Sequence, residues 1–176
     1  MSKEVTIKPK SPSEIPMVDS MYMKELVQFN QVLDRDPSPN MIKTNQFSNG
    51  AKYVPIRAVE TMLRTIFGVY QVEMIGQPHI VGNSVVVSVH LKVYHPVLKE
   101  WVTYAGTGAV PIQVEQGAHP TDFTKINSKA LHKNVPAAKS FAVSNAAKSI
   151  GRIFGSHVNS TDDLYVTNMY EEKPAA

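Results

Sequence analysis

The chain has 176 residues, with 18 Lys and Arg against 15 Asp and Glu and a formal net charge of +3. It contains no cysteine, which excludes disulfides, thiolate metal sites and cysteine nucleophiles. It has no run of about 18 apolar residues. Its polar first ten residues also lack the hydrophobic region of a signal peptide, so we expect a cytoplasmic protein that does not enter a membrane.

The length of the chain is typical of one domain, and 43% hydrophobic residues are enough to form a core. Three prolines among lysines and serines predict a flexible N-terminal arm over residues 1–16. We predict one folded domain over residues 17–165 and a C-terminal tail over residues 166–176.

Two helices are indicated in the first half of the chain. Apolar residues at helical spacing predict a short amphipathic helix from Met21 to Leu33. A second apolar series runs from Val59 to Phe67 after Pro55, which suits the opening of a helix, and Gly68 is placed to end it.

A β-meander of about three strands follows. The strongest signal is the alternation of apolar and polar residues around Val85 to Val93, flanked by a looser strand from Val69 to Ile75. A returning strand is predicted from Glu100 to Ala105. Gly106 and Gly108 then indicate a bulge or kink where that strand ends.

The last predicted element is a helix from Pro136 to Phe154, with proline in its first turn and Gly155 as its stop. Six residues form its expected buried side: Phe141, Val143, Ala146, Ala147, Ile150 and Phe154. A stripe of small residues should allow close packing on a sheet or a neighbour, and it consists of Ser140, Ser144, Ala147 and Gly151.

Positive charge is concentrated near this helix. The stretch from Phe123 to Thr161 has no acidic residue and six cations, namely Lys125, Lys129, Lys133, Lys139, Lys148 and Arg152. Such a one-sign segment attracts polyanions and points first to nucleic acid. After Thr161 the chain becomes acidic.

Two of these cations are four residues apart, which places Lys148 and Arg152 on one face of the predicted helix. We interpret this pair as phosphate contacts, although solvated lysines on a helix surface are the ordinary alternative. Lys139 lies about half a turn away and would serve another surface.

A second basic set surrounds Tyr53 and comprises Lys43, Lys52, Arg57 and Arg64. An aromatic ring among cations can stack on a base while the cations hold phosphates. Packing of Tyr53 in the core is an equal alternative. Trp101, on the returning strand, is expected in the core or at a subunit interface.

No catalytic set can be assembled from the sequence. The six histidines show none of the spacings of a metal site, and Gly106-Thr-Gly108 lacks the further glycine and helix of a dinucleotide loop. Asp162 and Asp163 are adjacent, yet no paired acid–base arrangement surrounds them. The sequence therefore predicts neither an enzyme nor a metal ion or cofactor.

The ordered set of motifs resembles the Rad-fifty-two single-strand annealing superfamily, in particular its phage members of the Sak and Erf kind. The helix motifs are Ser128-Lys-Ala-Leu131, Ala137-Ala-Lys139, Val143-Ser-Asn145, Lys148, Arg152 and Phe154-Gly155. Upstream, the matching pieces are Lys52-Tyr53, the Val59–Phe67 helix with Gly68, the Val85–Val93 hairpin and Tyr104-Ala-Gly106-Thr-Gly108. The likeness covers residues 48–160.

This resemblance implies an α+β fold with a β-β-β-α core, in which an antiparallel meander of three to four strands packs on a long central helix. It also implies a homo-oligomeric ring or filament with single-stranded DNA in an outer basic groove. Lys148 and Arg152 match family cations that hold the DNA backbone, whereas a third such cation is Ser149 here.

Other groove positions follow from the same resemblance. Tyr53 matches a groove-lining aromatic residue and Lys43 a groove cation, while Lys129 and Lys133 fall near a second, outer DNA site. We therefore predict single-stranded DNA binding and strand annealing in homologous recombination and repair. A phage exonuclease or a host single-strand binding protein is a candidate partner. The alternatives are a nucleic-acid-binding protein that does not anneal, with DNA or RNA as ligand, and a structural oligomer with a basic face.

Overall fold

The computed structural model describes residues 20–46, 49–119 and 121–160, without the side chains of residues 20, 123 and 129–131. The predicted arm over residues 1–16 and the predicted tail over residues 166–176 therefore lie outside the described residues. In the described part the protein is α+β, with two antiparallel sheets and three α-helices, which confirms the predicted class.

The elements follow one another along the chain with short connections, apart from the irregular stretch between β6 and α3. The helices are α1 (Ser20–Leu33), α2 (Ile56–Phe67) and α3 (Ser128–Lys148). The strands are β1 (Lys43–Asn45), β2 (Ala51–Tyr53), β3 (Tyr70–Met74), β4 (His79–Val81), β5 (Ser84–His95) and β6 (Glu100–Pro111). Single 3-10 turns occur at Pro39–Met41, Phe123–Lys125 and Arg152–Phe154.

β5 is the centre of the larger sheet. It pairs along its whole length with β6 on one side, and with β3 and β4 in succession on the other. Four residues separate Met74 from His79, whereas their partners on β5, Val89 and Val86, are separated by two. β3 and β4 are therefore two halves of one strand, interrupted by two extra residues.

The alternation of β5 reflects burial of one face of the sheet. Every second residue from Val85 to His95 is buried, and the residues between them are half-buried. Val87, Val89, Leu91 and Val93 form a core with residues of α2 and α3, and each such side chain contributes about 1.5–3 kcal/mol through removal of apolar surface from water. The predicted strand and its inward-facing residues are confirmed.

The returning strand is longer than predicted, and its two glycines allow close packing of a helix instead of forming the predicted bulge or kink. β6 continues in unbroken register with β5 as far as Pro111, so Gly106 and Gly108 form no bulge. A Cβ atom built on Gly106 would lie 2.2 Å from the Ala142 carbonyl oxygen, and one on Gly108 would lie 2.2 Å from that of Ala138. Glycine is required here because the backbone of α3 lies directly on β6.

The matching small residues on α3 are Ala138, Ala142 and Ala146, which recur every four residues and are fully buried. The predicted stripe of Ser140, Ser144, Ala147 and Gly151 is therefore wrong as the contact with the sheet. Ala147 is buried, the two serines are half-buried, and Gly151 lies beyond the helix.

The boundaries of α3 also differ from the prediction. Pro136 lies inside the helix rather than in its first turn. Proline has no backbone N–H group, so the helix lacks one hydrogen bond at this position. The contacts of Ala138 and Ala142 with β6 hold this segment of the helix in place. The helix ends at Lys148, and the chain then passes close to α1 at Gly151. There, a Cβ atom would lie 2.6 Å from the Leu33 carbonyl oxygen at the end of α1.

Of the expected buried side of this helix, Val143, Ala146, Ala147 and Phe154 are buried and Ile150 is half-buried. The prediction that Phe141 is buried is wrong, because 55% of this residue is exposed. It is one residue from Ala142 and is therefore rotated by about 100° away from the sheet. By contrast, α1 and α2 match their predicted ranges closely, and Gly68 ends α2 with a φ angle of 73°.

We expect replacement of Gly108 by alanine to destabilise the protein by about 3 kcal/mol or more, because the new methyl group would clash with the α3 backbone. Ala105→Val is the matched control, since Ala105 lies on the exposed face of the same strand. Urea unfolding followed by circular dichroism measures both. Equal stability of the Gly108→Ala variant and the wild type would show that α3 does not lie this close to β6.

Candidate nucleic-acid interface

A groove of about 610 Å³ runs between the β1–β2 hairpin and α3. Its walls come from three segments: the hairpin, the link from β2 into α2, and one side of α3. The lining residues are Asn45, Ala51, Lys52, Tyr53, Val54, Pro55, Ile56, Ala137, Ser140, Phe141, Ser144, Asn145 and Lys148. Three of the predicted site residues, Lys52, Tyr53 and Lys148, are therefore brought together.

The register of the hairpin decides which of its side chains share the groove face. Lys43 pairs with Tyr53 and Asn45 pairs with Ala51, and directly opposed residues in an antiparallel pair point to the same side. Since Tyr53, Asn45 and Ala51 line the groove, Lys43 lies on the groove face beside Tyr53. Lys52 alternates with Tyr53, so its side chain extends toward the other face while its residue forms part of the rim.

The α3 wall is a stripe of small residues with a lysine at its end. Ala137, Ser140, Ser144 and Lys148 follow at spacings of four, three and four residues and lie on one side of the helix. The exposed Lys133 lies one turn before Ala137 on the same stripe. At 1.5 Å per residue, Lys133 and Lys148 are about 22 Å apart along the helix axis. The stripe thus has an ammonium group at each end and small side chains between.

Two aromatic side chains line the groove with large exposed surfaces. Tyr53, on the hairpin, is 42% exposed, and Phe141, on α3, is 55% exposed. Packing of Tyr53 in the core, one of the two alternatives raised by the sequence, is therefore wrong. Exposed rings beside cations are the arrangement on which nucleobases stack in single-strand binding proteins.

The hairpin is held in place by a side chain from beyond α3. The Asn159 side-chain amide accepts a hydrogen bond from the Lys52 backbone N–H at 2.7 Å and donates one to the Lys52 carbonyl oxygen at 2.7 Å. These two bonds imitate the pairing of a neighbouring strand along β2. They fix the hairpin wall of the groove relative to the rest of the domain.

The charge in the groove is positive. None of the described lining residues is acidic, Lys148 is a cationic lining residue, and Lys52 adds a second lysine at the rim, with its side chain directed toward the other face of the hairpin. Lys148 is also the last residue of α3, where a cation interacts favourably with the partial negative charge of the terminal carbonyl groups. The same ammonium group therefore stabilises the helix end and faces the groove.

Arg152 is placed differently from the prediction. Because α3 ends at Lys148, the two cations do not share a helix face, and Arg152 begins a separate 3-10 turn outside the groove lining. Its Nη2 atom donates to a carboxylate oxygen of Asp36 at 2.9 Å. Asp36 is distant in sequence, so the absence of acidic residues near Arg152 in the chain did not reveal its partner. The positive track is therefore opposed by a carboxylate at this position.

The other predicted cations surround the groove or lie away from it. Arg57 is exposed in the first turn of α2, next to the groove-lining Ile56. Lys139 is exposed and is nine residues from Lys148, which places it on the opposite side of α3, as predicted. Lys129 belongs to α3, but its side chain lies outside the described residues. Arg64 lies 6.0 Å from the ring centroid of Tyr70, away from the groove.

Sequence reasoning missed Phe141, Asn145 and Asn159. Asn145 lines the groove and donates to the Thr107 carbonyl oxygen of β6 at 2.8 Å, which ties the groove wall to the sheet. A search for alanines four residues apart would have identified the sheet-facing side of α3, and Phe141 would then have fallen on the groove side. Nothing local in the sequence points to Asn159, which acts across 107 residues.

Two described residues have clearly shifted pKa values, His95 and Tyr104, and neither of them lines the groove. Burial lowers the pKa of His95, partly offset by the negative charge of Glu100. The ring packs on Phe29, with centroids 4.6 Å apart, and His95 Nδ1 accepts a hydrogen bond from the Leu98 N–H at 3.1 Å. Burial also raises the pKa of Tyr104.

Trp101 is 45% exposed and its ring contacts that of Tyr94 edge to face. The prediction that Trp101 lies in the core is therefore wrong, and its alternative place at a subunit interface stays a prediction.

Neither protein-family models nor curated proteins give a match to this chain. Within residues 20–46, 49–119 and 121–160, no helix is long and apolar enough to cross a bilayer. The same residues contain no cluster of three or more histidine, aspartate or glutamate side chains arranged to hold a metal ion. What the groove binds must therefore be argued from its own chemistry.

We expect Asn159→Ala to release the hairpin from its anchor. The Lys52 amide would lose its acceptor, so its hydrogen-exchange rate should rise by at least tenfold, and stability should fall by about 1–2 kcal/mol. Exchange of the Lys52 amide, followed by NMR, is the measurement. Ser156→Ala, at an exposed position in the same turn, is the control. Unchanged protection of Lys52 would contradict the anchor.

Proposed function

We propose that the groove between the hairpin and α3 binds single-stranded nucleic acid, and that the protein is a DNA-annealing protein of the Rad-fifty-two type. The observation that carries the proposal is the combination of lysines, two exposed aromatic rings and no acidic side chain in one groove. Phosphates would contact Lys43, Lys148 and Lys133, while bases stack on Tyr53 and Phe141.

The order of the elements supports the family assignment. An interrupted strand, two long strands and a helix packed on the sheet follow one another as in the β-β-β-α core that the sequence resemblance implies. In that reading β3 with β4, β5 and β6 are the three strands, and α3 is the central helix. The hairpin lies outside this core and provides one wall of the groove.

Annealing requires no bond chemistry. Two polyanionic strands repel each other, and cations that neutralise one strand lower this cost and release counterions. A groove that grips mainly phosphates leaves base edges accessible to a complementary strand. One subunit provides only a few cations, so a ring or filament of subunits would supply a continuous binding site through multivalency.

Lys148→Ala and Lys43→Ala should each weaken binding to an oligothymidylate and reduce the slope of log affinity against log salt by about 0.7, the value for loss of one phosphate contact on a single strand. Tyr53→Ala should weaken binding by about 1–3 kcal/mol with little change in that slope, whereas Tyr53→Phe should retain affinity. Fluorescence anisotropy at several NaCl concentrations provides these values.

Lys24→Ala, on the exposed surface of α1, is the matched control. Arg152→Ala is a less direct test, since it also removes the contact with Asp36. If Lys148→Ala and Lys43→Ala bind like the wild type at every salt concentration, the groove is not the binding site. If the wild type binds no oligonucleotide, a structural oligomer with a basic face becomes the better account.

Annealing and assembly are tested with the wild-type protein. We expect faster duplex formation from two complementary labelled strands than from the strands alone, together with a large assembly in light scattering, because both follow from a continuous phosphate-binding track. An RNA pair of the same sequence tests preference for DNA. Tight binding without faster duplex formation would favour a protein that coats single strands, and a monomer that stays monomeric on DNA would contradict the ring.

A further inference from the structure

The residue that anchors the hairpin also fixes where the following chain begins. Asn159 is bonded through both atoms of its amide to the backbone of Lys52, at the rim of the groove. The next charged residues in the sequence are Asp162 and Asp163. An extended chain spans at most about 3.6 Å per residue, so these carboxylates begin no more than roughly 11–14 Å from the anchor.

The charges on the two sides are complementary. The hairpin carries Lys43 and Lys52, α3 adds Lys148 to the groove, and no described lining residue is acidic. Residues 161–176 contain four acidic residues and one lysine, which gives this segment a net charge of −3. The sequence therefore changes from acid-free to acidic within a few residues of the point where the chain is pinned to the basic groove.

We propose that the acidic segment from Asp162 to Glu172 is an intramolecular competitor that occupies the hairpin rim of the groove when nucleic acid is absent. This inference rests on the proposed function, because the groove must bind phosphates for the competition to matter. The carboxylates replace phosphates at the lysines of the hairpin. Nucleic acid displaces them because it offers a longer array of charges and bases for the aromatic rings.

The tether makes this competition effective although each contact is weak. Exposed ion pairs contribute only about 0–1 kcal/mol each. A short connection to the anchor, however, keeps the carboxylates at an effective concentration in the millimolar range or above. The segment therefore lowers affinity for phosphates rather than abolishing it. The effect decreases as salt screens the charges, with a Debye length of about 10 Å at 0.1 M.

The test compares two full-length variants that raise the net charge equally. Asp162→Asn/Asp163→Asn neutralises the tethered pair, and Glu25→Gln/Glu115→Gln neutralises two exposed acids that do not line the groove. Binding of a fluorescein-labelled oligothymidylate 30-mer is measured at 50 mM and 300 mM NaCl. We expect the first variant to bind about threefold tighter at 50 mM and within about 1.5-fold of the wild type at 300 mM. The second should match the wild type.

Several results would overturn the inference. Unchanged affinity in the Asp162→Asn/Asp163→Asn variant would exclude competition by the tethered pair. An equal gain in both variants would show an effect of overall charge. A loss of affinity in the first variant would mean that the carboxylates assist binding. These outcomes leave the proposed function standing as long as the wild type binds. Failure of the wild type and both variants to bind would remove the proposed function and this inference together.

A second variant tests the anchor itself. Asn159→Ala lengthens the effective tether, so neutralising Asp162 and Asp163 in that background should produce a smaller gain than in the wild type. The four proteins form a double-mutant cycle at 50 mM NaCl. An identical gain in both backgrounds would show that the anchor at Lys52 does not direct the acidic segment to the groove.

Discussion

The close contact between α3 and β6 determines the geometry of the site. With Gly106 and Gly108 facing Ala138, Ala142 and Ala146, the two backbones lie in close contact because the strand has no side chain at these two positions and the alanines carry only methyl groups. Tight packing of this kind leaves the helix little freedom to rotate about its axis, since any rotation would drive a larger side chain into the strand. The side of α3 that faces the hairpin, with its serines and Lys148, is therefore set by a contact on the other side of the helix.

The hairpin wall depends on fewer contacts. Each of its strands has three residues, and a two-stranded hairpin alone is marginally stable. The amide of Asn159 supplies the pairing that another strand would otherwise give. One wall of the groove is therefore a tightly packed helix, and the other is a short hairpin to which the Asn159 amide adds an anchor. In the proposed function, this arrangement would allow a nucleic-acid strand to enter and leave the groove without unfolding of the core.

Local features of the sequence predicted the elements well, whereas contacts across the chain decided the site. The alternation around Val85–Val93 and the turn at Gly68 depend on neighbouring residues, and both appear as predicted. Phe141 and the extent of α3 depend on which helix side meets β6, which no short window of sequence specifies. The pairing of Arg152 with Asp36 likewise joins residues that are 116 positions apart. A stretch of sequence without acidic residues does not by itself produce a positive surface, because the fold can bring in an acidic residue from another part of the chain.

Arg152 was predicted to contact phosphates together with Lys148, but it does not line the groove. The groove would therefore hold phosphates in a different way from the one predicted. With that guanidinium held by Asp36, the cations at the groove are lysines spread along the hairpin and α3 rather than a cluster. Separate ammonium groups neutralise phosphates without the bidentate geometry that arginine imposes. Weak, distributed contacts allow a strand to shift its register while it remains bound. Under the proposed function, such mobility would suit the search for complementary pairing that annealing requires.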